Sequence, residues 1–147
     1  MTITNNATAR WEGTLKEGNG RFSLGSGSLS DHPYSFATRF EGQGGSNPEE
    51  LIAASHASCF SMAYSMVLGL SDLTAEAIET KATVTLEQVE GGFSVTKSHL
   101  ETVVKCEGDE TVIREAAETA KQNCPISKLL NAEITLDLNV QSARQAA

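Results

Sequence analysis

The chain has 147 residues, the length of one ordinary domain, and its 39% apolar content is enough for a core. A net charge of −8, with 11 scattered basic residues and no aromatic platform among them, argues against a nucleic-acid surface. The first residues do not pair a basic segment with an apolar one, and the longest apolar run, around Met62 to Leu70, is too short to span a bilayer. A soluble cytoplasmic protein with no membrane partner is expected.

In chain order, residues 7–15 and 20–29 read as strands with glycine breaks. Residues 34–42 read as a third strand, with Tyr34, Phe36 and Phe40 on one alternation, completing a meander. After the loop GQGGS, Asn47 can cap a helix, Pro48 suits its first position, and Glu50 stands three residues after the cap. This helix is expected to end near Leu68, with Gly69 as its stop. It is small or apolar all round, so it should be buried on most sides or packed against a partner. Residues 78–90 and 93–107 form a long hairpin around EGG, with Ile78, Ala82, Val84 and Leu86 on one face. Asp109 caps a helix over 110–122, Pro125 opens a short helix, and 133–140 is the last strand before residues expected to fray. No repeat and no domain boundary is visible. The fold class is α+β: one domain, 1–147, of antiparallel strands around a long buried helix.

Three cysteines do not make a disulfide scaffold. In a reducing compartment each is an inert core thiol, a metal ligand or a redox thiol. Cys124 precedes Pro125 and so occupies an N-cap, where unpaired N–H groups and the helix dipole would lower a thiol pKa. Cys59, inside the long helix, would need a cation, for which His56 and Arg39 are the nearby candidates. Cys106 closes a strand and reads as structural. His56 and Cys59 share a helix face, and Cys124 could join them as a metal ligand. That alternative, a metal-binding or passive thiol protein, stays open on spacing alone.

The segments TRFEGQGGSNPEELIAASHASCFSMAYSMVLG and NCPISKLLNAEITLDLNV, with ARWEG and GGFSVTK, resemble the OsmC/Ohr family of thiol-dependent peroxidases, on its OsmC side. The resemblance covers nearly the whole chain. It implies reduction of organic hydroperoxides and, less efficiently, hydrogen peroxide; no cofactor or metal is expected. It implies that Cys59 attacks and Cys124 resolves, with Arg39 and Glu49 as polar partners. It also implies an intertwined homodimer with interfacial active sites, and a dithiol reductant such as a lipoylated protein.

On that implication, Arg39 would stabilise the Cys59 thiolate and Glu49 would orient the guanidinium. Phe36, Phe60 and Met62 are the apolar residues expected near Cys59. Ten residues of helix separate Glu49 from Cys59, about 15 Å along the axis. Two such helices crossing antiparallel near Ala53, Ala54 and Ser55 would bring each Glu49 toward the other subunit's Cys59. The alternative is that these small residues pack against the sheet and any dimer forms elsewhere.

Overall fold

A computed structural model describes residues 1–143. The chain forms two compact units, Met1–Leu51 and Ile52–Ala147. The final residues expected to fray reach beyond the described part.

In the first unit, β1 (Ala7–Glu12), β2 (Asn19–Leu24) and β3 (His32–Tyr34) form an antiparallel sheet in sequence order. Trp11 and Phe22 lie against Tyr34, with ring centroids 5.6 and 6.1 Å away. The third strand stops at Tyr34, and the residues after it coil into α1 (Phe36–Phe40). The reason is local. Ser35 Oγ accepts from the Thr38 N–H and Thr38 Oγ1 accepts from the Ser35 N–H, a reciprocal cap that starts a helix. Phe36 and Phe40 are then one turn apart, not two steps of a strand, and their rings sit 4.8 Å centre to centre. Arg39 is consequently helical.

The long helix α2 runs from Pro48 to Leu70. Asn47 Oδ1 accepts from the Glu50 N–H at 2.8 Å, as the cap requires. The helix passes through Gly69 instead of stopping there. Its end is a Schellman motif: the Leu73 N–H bonds Leu68 O at 3.0 Å and the Asp72 N–H bonds Gly69 O at 3.2 Å. The left-handed residue is Asp72, with φ +56°. By length and composition alone α2 could cross a membrane. Its burial is one-sided, not all round. His56, Phe60, Tyr64 and Leu68 are buried, whereas Met62, Met66 and Leu70 are 76%, 63% and 80% exposed.

In the second unit, β4 (Ala75–Val89) and β5 (Gly92–Cys106) form the long antiparallel hairpin. Its tight connection places Gly91 at φ +89°, a conformation that suits glycine. The chain then makes α3 (Glu110–Asn123) and α4 (Pro125–Leu129) before β6 (Glu133–Gln141). β6 pairs with β5 in parallel, Lys97 opposite Glu133. The two helices form the crossover that a parallel partner needs.

Alternation along β5 sends Ser98, Leu100, Thr102 and Val104 inward. Leu100 and Val104 meet the Phe60–Tyr64–Leu68 stripe of α2 and the Ile113–Ala117–Ala120 stripe of α3 in one core. Tyr64 spans it, donating its hydroxyl to Ile113 O at 2.9 Å. Burial pushes that phenol up to about 12, with the Cys106 thiol adding to the rise and Arg114 opposing it. Asp109 caps α3 through the Thr111 N–H at 2.8 Å, as expected.

Candidate active site

Cys124 is the hinge between two helices. Its N–H closes α3 on Ala120 O at 2.8 Å, and it is the N-cap of α4 with Pro125 at the first position. Its buried side chain makes no capping hydrogen bond, contrary to the expectation of a thiolate held by its own helix end. The sulfur is in contact with Cys59 instead. The Cys59 thiol hydrogen-bonds Cys124, and the Ile126 N–H, in the first turn of α4, reaches the Cys59 sulfur. The helix end expected to serve Cys124 therefore serves Cys59.

Burial pushes the Cys59 thiol up, and its contact with Cys124 pushes in the same direction. The Ile126 N–H opposes both by stabilising the thiolate. Both cysteines are free thiols, Cys59 partly accessible and Cys124 fully buried. Cys106 is also a free, buried thiol, lying 3.7 Å from Thr74 O and 3.5 Å from Glu107 O. Burial, then the Glu107 charge, raises its pKa.

His56 is not a cation for Cys59. The ring is fully buried, and burial lowers its pKa, which favours the neutral form. Nδ1 lies 2.7 Å from Ser98 Oγ and Nε2 lies 2.8 Å from Ser127 Oγ. Both nitrogens are engaged, so the sequence's alternative of a His56–Cys59–Cys124 metal site has no imidazole lone pair to use. Among the described residues, no three His, Cys, Asp or Glu side chains are grouped to hold a metal ion. The network was missed in the sequence. The available signal was Ser98, a polar residue on the inward alternation of β5.

In the first unit, Arg39 meets Glu49. Nη2 donates to Oε1 at 2.7 Å and Nε to Oε2 at 3.1 Å, a fork-on-fork pair. The capped turn of α1 aims Arg39, and the Phe40 ring lies 5.2 Å from its guanidinium carbon. Glu49 stands in the first turn of α2, where the helix dipole favours its charge. Beside the pair is a cavity of about 250 Å³ walled by Trp11, Leu15, Tyr34, Phe36 and Phe40. Of the apolar residues expected near Cys59, Phe36 lines this cavity, Phe60 is sealed in the core and Met62 is exposed.

The structure thus assembles the four sequence candidates as two pairs, Cys59 with Cys124 and Arg39 with Glu49. Known proteins carry the same fold. The chain is similar to the organic hydroperoxide resistance protein OhrB of Bacillus subtilis, with TM-score 0.75 and 30% identity over 93% of this chain and 98% of that one. It is 33% identical over 97 residues to organic hydroperoxide resistance protein-like 1 of Staphylococcus saprophyticus, covering 65% of this chain and 69% of that protein. It is 48% identical over 143 residues to peroxiredoxin OsmC of Escherichia coli (strain K12), covering 97% of this chain and 100% of that protein. The sequence pattern of the family described as OsmC-like protein matches residues 41–139. With that match over most of its length, the chain belongs to the OsmC family.

Proposed function

We propose that this protein is a cysteine-based peroxidase that reduces organic hydroperoxides, and hydrogen peroxide less well, in a cytoplasmic, reducing setting. The observation that carries the reading is the hydrogen-bonded contact between the Cys59 and Cys124 thiols at the N-terminus of α4. The names of the relatives, peroxiredoxin and organic hydroperoxide resistance protein, support it.

The Cys59 thiolate attacks the outer oxygen of ROOH. The O–O bond breaks, the sulfur becomes a sulfenic acid, and the alkoxide leaves as ROH after taking a proton. The Cys124 sulfur then attacks the Cys59 sulfur. The S–O bond breaks, hydroxide leaves with the second thiol's proton as water, and a disulfide remains. A dithiol reductant, such as the dihydrolipoyl group of a lipoylated protein, returns two electrons and two protons.

Burial and the Cys124 contact push the Cys59 thiol up and the Ile126 N–H opposes them, so a nearby guanidinium would favour the thiolate. Arg39 supplies that group, and its bidentate pairing with Glu49 fixes where the guanidinium N–H donors point. Glu49 stands ten residues before Cys59 on α2, about 15 Å along the axis. The fork of one copy therefore serves the Cys59 of a second. The exposed Met62, Met66 and Leu70 face of α2 is apolar surface for that homodimer. Ala54 and Ser55 are exposed too, open to close helix approach. The aromatic cavity beside Arg39 would then receive the organic tail of the peroxide.

The deciding experiment follows cumene hydroperoxide consumption with dihydrolipoamide as reductant, comparing the native protein with Cys59→Ser and Cys124→Ser. Cys59→Ser should abolish turnover. Cys124→Ser should still consume one equivalent of peroxide and then stall. Native-like turnover in Cys59→Ser would remove the reading.

A further inference from the structure

The peroxide chemistry leaves one buried polar cluster unused. His56 lies one turn before Cys59 on α2, Ser98 lies on β5, and Ser127 lies three residues after Cys124 on α4. His56 and Ser98 are fully buried and Ser127 is 9% exposed. A neutral imidazole donates from one nitrogen and accepts at the other, and a serine hydroxyl can answer either role. Both bonds are therefore satisfied without a charge.

α4 has five residues, too few to hold its own position as a helix. Most backbone bonds around it are local, from the Cys124 N–H to Ala120 O and from the Leu130 N–H to Ile126 O, and one, from the Ile126 N–H, reaches the Cys59 sulfur on α2. The bond from Ser127 to His56 also reaches α2, across 71 residues, and unlike the Ile126 bond it does not involve the sulfur that reacts. The other side of the ring is fixed to the sheet through Ser98 at 2.7 Å. Two sulfurs joining as a disulfide must approach to about 2.05 Å with Cβ atoms about 3.8 Å apart. A directional bond sets such a position more narrowly than apolar packing does.

We infer that His56 is a positioning residue for the resolving step: anchored on Ser98 and bonded to Ser127, it holds α4 so that the Cys124 sulfur faces the Cys59 sulfenic acid. The inference rests on the peroxidase reading above. In that reading the sulfenic acid has two fates. Attack by Cys124 gives the disulfide and water. A second ROOH instead oxidises it to sulfinic acid and leaves ROH. Slackening α4 slows the first and leaves more sulfenic acid for the second.

The test is the ratio of Cys59 sulfinic acid to Cys59–Cys124 disulfide, read by intact mass after a pulse of excess cumene hydroperoxide. His56→Asn keeps an amide atom where Nδ1 bonds Ser98 but falls short of Ser127. His56→Gln places an amide atom where Nε2 bonds Ser127. Ser127→Ala removes the hydroxyl and little else. In His56→Asn and Ser127→Ala the ratio should rise about fivefold, the size of one net hydrogen bond, while His56→Gln stays closer to native. A native ratio in Ser127→Ala overturns the inference, as does an equal rise in His56→Gln and His56→Asn. Should the His56 variants fail to fold, Ser127→Ala decides alone. If the native protein forms no disulfide at all, it is the peroxidase reading that fails. A native disulfide with an unaltered Ser127→Ala ratio fails this inference only.

Discussion

Arg39 holds Glu49 by two bonds at once, Nη2 to Oε1 and Nε to Oε2, at 2.7 and 3.1 Å. That fork fixes the plane of the guanidinium as well as its position. Lysine would keep the charge and lose the plane. Arg39→Lys should therefore slow the oxidation of Cys59 by cumene hydroperoxide about 100-fold, measured by stopped flow under single turnover. A rate constant within about threefold of native would show that the fork plays no part in the peroxide step.

If the fork acts on the thiol of a second copy, two inactive variants should complement each other. Mixed dimers of Cys59→Ser and Arg39→Lys hold one intact Arg39 facing one intact Cys59. After subunit exchange to a statistical mixture, about a quarter of native activity should return. Heterodimers that are visible by native mass spectrometry but stay inactive would place the whole site within one chain.

Gly69 offers a check on how α2 ends. The position is helical, its φ is not left-handed, and an added Cβ would meet open space. Gly69→Ala should stabilise the fold by about 0.5–1 kcal/mol, because helical alanine has less backbone freedom to lose. Asp72, at φ +56°, should gain a similar amount when changed to glycine. Urea unfolding measures both. A destabilised Gly69→Ala would return the helix stop to Gly69.

Tyr64 predicts an alkaline limit to stability. Its folded pKa is about 12 against an ordinary 10.0, so the native state keeps a proton that the unfolded chain releases. The stability this contributes is fully present below pH 10 and is lost as pH rises toward 12. Two units correspond to about 3 kcal/mol at most. Cys59 and Cys106, also raised from 9.0, act in the same direction and start the decline lower. Tyr64→Phe should cost about 1 kcal/mol at neutral pH through the lost bond to Ile113 O, and should flatten the alkaline fall. Unfolding free energies across this range test it, and an identical slope in Tyr64→Phe would refute it.

Most elements were legible because their signals are local. The Asn47 and Asp109 caps, the β4–β5 alternation and the proline opening α4 each act within a few residues. The α1 turn was misread because Tyr34, Phe36 and Phe40 fit a period of two over a stretch too short to contradict it. The Ser35–Thr38 reciprocal cap, which settles the matter, lacks the usual glutamate. The parallel pairing of β6 was hidden because it depends on where two intervening helices carry the chain. The thiol pair and the Arg39–Glu49 pair were reached through family resemblance, not through spacing. The Ile126 N–H and the His56 bridge were invisible because they exist only once α4 is docked on α2.

The late position of β6 has a consequence for biosynthesis. Cys59 leaves the ribosome long before Cys124, and the crossover that delivers Cys124 is closed only when residues 133–141 pair with β5. Contacts so distant in sequence form slowly. On the proposed roles of Cys59 and Cys124, a nascent chain exposed to peroxide carries an attacking sulfur with no neighbour to rescue it, and its vulnerability to irreversible oxidation should end only when the last strand is in place.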